Sequence, residues 1–189
     1  MEDYTLAQFT SDVDAVVRRE HDPLRVVQEV RPLLQQLLAK RDWLEARYRQ
    51  PLPGKPYAQY LLYLPPDEAW SVVAFVWPSG AVTPVHDHCT WGVIGVYQGE
   101  EQETTFRPVE GNVAAGWVRV ESQGTAVLRP GEVSSVVPPE DIHQVANAGA
   151  EVAVSIHVYG SNIGKQARHV IDPATGVVKA FVSGYDTPC

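Results

Sequence analysis

From residue 57 onward, short β-type runs alternate with turn signals at intervals of roughly 8 to 12 residues. The runs are rich in valine, isoleucine and aromatic residues, and glycine or proline separates most of them. Strands this short and this numerous indicate a β-sandwich or a β-barrel. The candidate strands lie at 59–64, 70–77, 84–88, 92–98, 102–109, 115–121, 125–128, 133–137, 142–147, 151–159 and 167–172.

The segment before these strands has a different pattern. Residues 5–48 contain no glycine and repeat their apolar side chains at helical spacing. Asp22 followed by Pro23 predicts a helix start, with an N-cap and proline at the first helical position. Pro32 lies inside the second apolar run, so we expect a kink or a break there. We interpret the segment as an amphipathic layer that packs on the β-structure and takes no part in the chemistry.

The two parts are joined by a short, proline-stiffened turn and not by a flexible linker. We therefore expect one domain over 1–189, in which 1–50 form a helical cap and 57–189 form the β-barrel.

Charge and composition exclude several classes of protein. The net charge is −8, from 23 acidic and 15 basic residues, and no basic run occurs, which disfavours nucleic acid or an anionic membrane as a partner. No apolar run approaches the roughly 18 to 20 residues of a spanning helix, and the start at Met1 lacks the order of a secretion signal. Cys89 and Cys189 are the two cysteines, so a disulfide framework is excluded and a cytoplasmic location is expected.

Two of the six histidines form an HxH pair. On a strand, residues i and i+2 point to the same face, so His86 and His88 are expected to present two imidazoles side by side, a geometry that suits a metal ion. A third histidine, His143, lies on a later candidate strand. For His21 and His169 we favour a solvated or capping role.

A second polar cluster lies at the end of the candidate strand 151–159. Alternation places Ser155, His157 and Tyr159 on one face, where a hydroxyl, an imidazole and a phenol can form a hydrogen-bonded relay. Spacing alone leaves open whether this row serves a reaction or whether the three polar groups only satisfy one another's hydrogen bonds inside a barrel.

The spacing of glycines around the HxH pair and of Asn147 after His143 resembles the two motifs of the cupins. Cupins are double-stranded β-helix, or jelly-roll, barrels that carry a central metal, so this resemblance implies a mainly β fold with an N-terminal helical cap. Gly92 stands where cupins usually have a glutamate ligand, and Glu140 replaces a glycine of the second motif. Three neutral imidazoles without a carboxylate leave a metal its full charge and open positions for an anionic substrate and a small gas molecule.

The SxHxY row that follows a three-histidine cupin site is similar to the cysteine dioxygenase family of thiol dioxygenases. The resemblance covers about residues 57 to 159. Its sequence stretches are 57–62 (YAQYLL), 71–77 (SVVAFVW), 86–88 (HDH), 91–95 (WGVIG), 98–100 (QGE) and 143–147 (HQVAN).

The resemblance implies roles for individual residues. It makes His86, His88 and His143 the ligands of one iron(II) ion per chain. It makes Ser155, His157 and Tyr159 an outer relay in which the Tyr159 hydroxyl faces the bound substrate and oxygen.

The resemblance also places Gln59 at the substrate carboxylate. Cysteine-preferring enzymes usually have arginine at this position, whereas the bacterial branch similar to 3-mercaptopropionate dioxygenases has glutamine. Because glutamine is uncharged, it is a weaker clamp for a carboxylate, which points away from strict L-cysteine specificity.

Gly92 also falls where the animal enzymes place the cysteine of a cysteine–tyrosine crosslink, so Tyr159 should be an uncrosslinked phenol. Cys89 follows His88 directly and is expected to project away from the ligands as a small buried hydrophobe. Trp77, Trp91 and Val93 are candidates for an apolar lining of the site.

The sequence therefore predicts an iron thiol dioxygenase whose partners are dioxygen and a small mercaptocarboxylic acid, most simply 3-mercaptopropionate, which it converts to a sulfinic acid. The first alternative is the same chemistry on L-cysteine. A second is a non-catalytic metal-binding cupin, and a third is a cupin isomerase or decarboxylase, which the missing carboxylate ligand disfavours. The oligomeric state stays open.

Overall fold

The computed structural model describes residues 4–188, so Cys189 and residues 1–3 lie outside it. Helix α1 spans Leu6–Arg19 and helix α2 spans Pro23–Leu38. Thr5 and the third helical residue of α1 form a capping box, and the Asp22 carboxylate accepts a hydrogen bond from the amide of Leu24 at 3.0 Å. These bonds satisfy amides that have no partner within the helices, which is why the helices begin where they do.

Of the kink or break expected at Pro32, the break does not occur. Helix α2 is continuous from Pro23 to Leu38 with Pro32 inside it. Its apolar face, which includes Val30, Leu34 and Leu37, is fully buried. Burial of this face outweighs the one backbone hydrogen bond that a proline removes. A short 3-10 helix at Ala46–Arg49 then leads to the first strand.

Most strands begin and end close to the predicted runs, with three exceptions. The last strand, Val178–Phe181, lies beyond the predicted runs. The runs 115–121 and 125–128 form one strand, because the pairing with the neighbouring strand continues through Gly124, at φ 143°, with a register shift beside it. The run 84–88 contracts to a two-residue strand. The strands are β1 Ala58–Tyr63, β2 Ser71–Trp77, β3 Val85–His86, β4 Gly92–Gln98, β5 Glu101–Asn112, β6 Trp117–Leu128, β7 Val133–Val136, β8 Ile142–Ala146, β9 Ala153–Tyr159, β10 Arg168–Ile171 and β11 Val178–Phe181.

The strands form two antiparallel sheets. One sheet has the order β1-β2-β9-β4-β7 and the other the order β11-β10-β3-β8-β5-β6, so strands that are neighbours in sequence are divided between them. This arrangement is a double-stranded β-helix with two N-terminal helices, and it confirms the predicted fold class.

The first sheet is buried on both faces, as strand β2 shows. Every residue of β2 is buried. One face of β2 packs in the cluster that includes the helices, through Val72, Ala74 and Val76. The other face packs in a second cluster, through Val73, Phe75 and Trp77. The near-continuous apolar run SVVAFVW follows from this double burial.

Helix α2 lies very close to strand β4. A Cβ atom at Gly95 would stand 2.4 Å from a methyl carbon of Leu38 and 3.0 Å from one of Leu34. A side chain at position 95 would therefore push the helix off the sheet. In the described part of the chain, no helix is both long enough and apolar enough to cross a membrane.

Candidate metal centre and relay

The three predicted histidines converge between the two sheets. His86, on β3, is in register with His143, on β8, and their ring centroids are 4.8 Å apart. The ring of His88 lies 4.9 Å from the ring of His86 and 4.7 Å from that of His143. All three side chains are buried, and one nitrogen from each lies within 4.8 Å of the others.

The prediction that His86 and His88 share one strand is wrong. Strand β3 ends at His86, and His88 lies in the turn that follows. Asp141 holds this turn, because its carboxylate accepts the amide hydrogens of His88 and Cys89, both at 2.9 Å. The two imidazoles therefore lie close together because the Asp141 carboxylate, from a distant segment, holds the backbone at His88 in place, and not because of strand periodicity.

Each imidazole uses its Nδ1 atom for a contact with the protein, which leaves Nε2 to face the centre. The Nδ1 partners are the Pro84 carbonyl at 3.0 Å for His86, the Asp141 carbonyl at 3.0 Å for His88 and the Glu103 carboxylate at 2.6 Å for His143. Such contacts orient metal-binding imidazoles and make them more basic. Nε2 of His88 is buried and has no hydrogen-bond partner among the described residues.

The electrostatics favour neutral imidazoles. Burial, followed by the charge of His143, lowers the pKa of both His86 and His88 well below 6.5. Burial, the largest single effect, would raise the pKa of Glu103, but its hydrogen bond with His143 and the electrostatic attraction of that imidazole, together with smaller contributions, outweigh burial and lower the pKa. Among the described residues, the cluster of three ligand nitrogens contains no carboxylate oxygen. The centre is thus a set of three imidazoles with one supporting carboxylate outside it.

The predicted relay is formed. Ser155 Oγ lies 2.8 Å from Nε2 of His157, and Nδ1 of His157 lies 2.8 Å from the Tyr159 hydroxyl. The indole N–H of Trp77 donates to Ser155 Oγ at 2.9 Å. Burial raises the pKa of Tyr159 above its usual range, so the phenol stays protonated. Its ring stacks on that of His88, with centroids 5.4 Å apart.

The absence of a side chain at Gly92 leaves space for the Tyr159 ring beside His88. Gly92 is the cross-strand partner of Tyr159, and a Cβ atom there would lie 3.0 Å from two carbons of the tyrosine ring. The absent side chain makes room for the ring and also leaves Tyr159 without a crosslinking partner at this position.

A cavity of about 200 Å³ opens over the metal centre and the relay. Its walls include Tyr57, Phe75 and Trp77, and its polar side includes Gln59 and Arg168. The Gln59 amide donates to Ser183 Oγ at 3.2 Å, and Nη2 of Arg168 donates to the same oxygen at 2.8 Å.

Arg168 is the important residue that sequence reasoning did not assign. It is 3% exposed, its Nε has no hydrogen-bond partner, and it forms no ion pair with an acid in the described part of the chain. Its guanidinium carbon stands 4.7 Å above the centre of the Phe181 ring. Burial lowers its pKa from the usual value, yet a guanidinium keeps its charge. No carboxylate among residues 4–188 lines the cavity, so this buried cation lies in the wall of a space that holds no protein anion.

Two more residues near the site were not predicted from the sequence. Glu103 and Glu101 alternate on β5, and both are buried because that strand faces the interior at its start. Glu101 lies 3.9 Å from Nε2 of His157, behind the relay. Their spacing of two in a strand is the signal that could have revealed them, once the inward face of β5 was known.

Some predicted placements are wrong. Cys89 is exposed and not a buried hydrophobe, because it follows the end of β3 in a left-handed conformation with φ 53°. Trp91 and Val93 pack in the cluster on the helix side of the sheet, whereas Trp77 lines the cavity as expected. His169, for which we expected a solvated or capping role, is partly exposed and contacts Asp87.

A double-stranded β-helix with three imidazoles converging in its interior defines a metal-binding protein of the cupin class. The particular family follows from its sequence profile: the model described as cysteine dioxygenase type I matches residues 5–168. The chain belongs to this family of cupin thiol dioxygenases.

Solved structures similar to the chain include the Schizosaccharomyces pombe Cnp3 cupin domain, at 15% identity and TM-score 0.43 over 57% of this chain and 66% of that one. An oxalate oxidase in complex with glycolate matches at 17% identity and TM-score 0.44, over 65% of this chain and 58% of that one. An acetylacetone dioxygenase from Acinetobacter johnsonii matches at 13% identity and TM-score 0.47, over 73% and 81%. The chain thus spans less than two thirds of the first two proteins.

Proposed function

We propose that the chain is a non-haem iron(II) dioxygenase that adds both atoms of dioxygen to the sulfur of a small mercaptocarboxylic acid, with 3-mercaptopropionate as the preferred substrate. The observation that carries this proposal is the joint placement of three imidazoles, a protonated Tyr159 and an Arg168 without an acidic partner around one cavity. The small thiol and dioxygen are the partners that it requires.

The residues fit a bound divalent ion. His86, His88 and His143 turn their Nε2 atoms toward one point, and the buried Nε2 of His88 lacks a protein partner. When bound there, iron(II) would bring the substrate sulfur and dioxygen to one centre and relieve the spin barrier between them. Glu103, through its 2.6 Å contact with His143, would keep that imidazole oriented and electron-rich.

The cavity favours an anion without an amine. Arg168 lines the space over the histidines and has an Nε–H without a hydrogen-bond partner, and Gln59 adds a neutral amide beside it. A substrate carboxylate would pair with the guanidinium in a site where burial limits solvent screening. Since no carboxylate of the described residues lines the cavity, nothing there would pair with the ammonium group of cysteine. This charge pattern supports 3-mercaptopropionate over L-cysteine.

The relay would control the proton of Tyr159. Trp77 donates to Ser155 Oγ, so the serine hydrogen is free to bond to Nε2 of His157. In that tautomer Nδ1–H of His157 donates to the phenol oxygen, and the phenol hydrogen is free to point at the substrate. The relay thus would hold a hydrogen-bond donor over the reacting sulfur.

The test is turnover with a defined metal. The protein is prepared without metal, loaded anaerobically with iron(II) and given oxygen with 3-mercaptopropionate, L-cysteine or cysteamine. We expect one sulfinate per dioxygen consumed, and the highest kcat/KM for 3-mercaptopropionate. A higher kcat/KM for L-cysteine would refute the substrate assignment, and no oxygen uptake with any thiol would support a non-catalytic cupin.

A further inference from the structure

A second group of metal-binding side chains lies on the outside of the barrel, next to the histidine centre. The group consists of Asp87, Cys89 and His169, and we call it the outer cluster. Its carboxylate, thiol and imidazole ligand atoms all lie within 4.8 Å of one another. Asp87 is buried, His169 is partly exposed, and Cys89 is exposed, so the cluster opens to solvent on the side of the thiol.

We propose that the outer cluster is a second metal site, selective for a borderline divalent ion such as Zn²⁺. A thiolate, an imidazole and a carboxylate are the three ligand types that zinc combines in proteins. A fourth position would be left to water on the exposed side. Iron(II), the ion proposed for the histidine centre, binds a given site more weakly than zinc in the usual order of affinities and would compete poorly for the outer cluster.

The ligand atoms are held in place before any ion binds. The His169 amide donates to Asp87 Oδ1 at 2.7 Å, and the Asp87 amide donates to the His169 carbonyl at 3.1 Å. The Cys89 amide is fixed by the Asp141 carboxylate at 2.9 Å. These bonds tie strand β10 to the turn after β3, so the three side chains would lose little freedom when an ion binds.

The backbone at Cys89 is an independent sign that this position is special. Its φ of 53° lies in the left-handed region, which is strained for a residue with a β-carbon and is usually occupied by glycine or asparagine. The hydrogen bond from the Cys89 amide to the Asp141 carboxylate maintains this conformation. The thiol lies near His169, with Sγ 3.9 Å from Nδ1.

The geometry argues against a thiol nucleophile activated by a histidine relay. In such a relay the imidazole contacts the nucleophile with one nitrogen and the carboxylate with the other. Here Nδ1 of His169 faces both groups, at 2.8 Å from Asp87 Oδ2 and 3.9 Å from Cys89 Sγ. Because the carboxylate oxygen and the thiol sulfur both face this one nitrogen, the three ligand atoms could share a single cation.

Cobalt(II) is the probe for the outer cluster, because a thiolate bound to cobalt gives a near-ultraviolet charge-transfer band that histidine ligands do not give. Metal-free, full-length protein is titrated with cobalt(II) in the absence of substrate and of added thiols. We expect two ions per chain and a thiolate band. The His88→Ala variant, in which the inner centre loses a ligand, should bind one ion and keep the band.

Three variants separate the proposal from its alternatives. Cys89→Ser should bind one cobalt ion and lose the band, whereas the matched control Cys189→Ser should keep both ions and the band. His169→Asn keeps the thiol and should weaken cobalt binding at the outer cluster at least tenfold. Absence of the band in the wild-type protein, or its persistence in Cys89→Ser, would overturn the proposal. Neither result bears on the thiol dioxygenase activity, which is measured separately on the iron-loaded enzyme.

Discussion

Replacement of Arg168 by methionine tests the substrate assignment most directly. Methionine has a similar length and volume but neither charge nor donors. Because the guanidinium is 3% exposed and has no acidic partner, a substrate carboxylate would be the anion that completes it. Removal of an unpaired buried charge should leave the melting temperature unchanged or raise it.

The size of the effect follows from the burial. A hydrogen bond to a charged group contributes about 1.5–3 kcal/mol, which corresponds to a loss of about 10- to 150-fold in kcat/KM for 3-mercaptopropionate. Gln59→Leu removes a neutral amide and should cost about 0.5–1.5 kcal/mol, a loss of about 2- to 10-fold. If the carboxylate binds equally well in the ground and transition states, KM should change and kcat should not.

The assay compares two substrates in two proteins. Oxygen uptake is measured for 3-mercaptopropionate and for 2-mercaptoethanol, which lacks the carboxylate, with the wild-type enzyme and with Arg168→Met. The preference for the carboxylate substrate should fall by the factor given above, while activity on 2-mercaptoethanol stays within a few-fold. Arg168→Lys is the control that keeps the charge and should retain part of the preference.

An unchanged ratio of the two kcat/KM values in Arg168→Met would refute the reasoning, provided that iron content and melting temperature match the wild type. Equal loss with both substrates would show that Arg168 organises the cavity and does not recognise the carboxylate.

Other variants test the metal centre and the relay. Tyr159→Phe should keep iron but lower kcat by about 5- to 150-fold, because one hydrogen bond worth about 1–3 kcal/mol is lost; an unchanged kcat would contradict the role of the phenol. Glu103→Gln should weaken metal binding by about 10- to 100-fold in a chelator competition, since a carboxylate partner of His143 is replaced by an amide. His88→Ala should abolish iron binding by elemental analysis, and full activity would refute the ligand assignment. In the metal-free protein, the pKa values of His86 and His88 are lowered. As the pH falls below 6.5, these two side chains therefore take up protons in the unfolded state but not in the folded state. The free energy of unfolding, measured in urea, should therefore decrease from pH 7 to 5, by up to about 1.4 kcal/mol per pH unit for each histidine, and should do so less in a variant with asparagine at both positions.

Local patterns predicted the parts of the molecule that depend on neighbouring residues. The relay was readable because Ser155, His157 and Tyr159 lie on one strand, where a spacing of two places side chains on the same face. Helix α2 began where Asp22 and Pro23 indicated. Predictions from local patterns were wrong where tertiary packing decided the outcome. Pro32 does not break helix α2, whose apolar face is buried, and Cys89 lies beyond the end of its predicted strand.

The sequence by itself therefore determined the β-rich fold and the row of groups on β9, because strand periodicity and turn chemistry act over a few residues. The three histidines were identified by the resemblance of their motifs to those of a known family. Only the tertiary structure decided which faces meet. Register between β3 and β8 joins His86 to His143, and the packing of β1 and β10 around the cavity puts Gln59 and Arg168 beside each other. Such contacts depend on how the whole chain buries its apolar surface, and no local spacing encodes them.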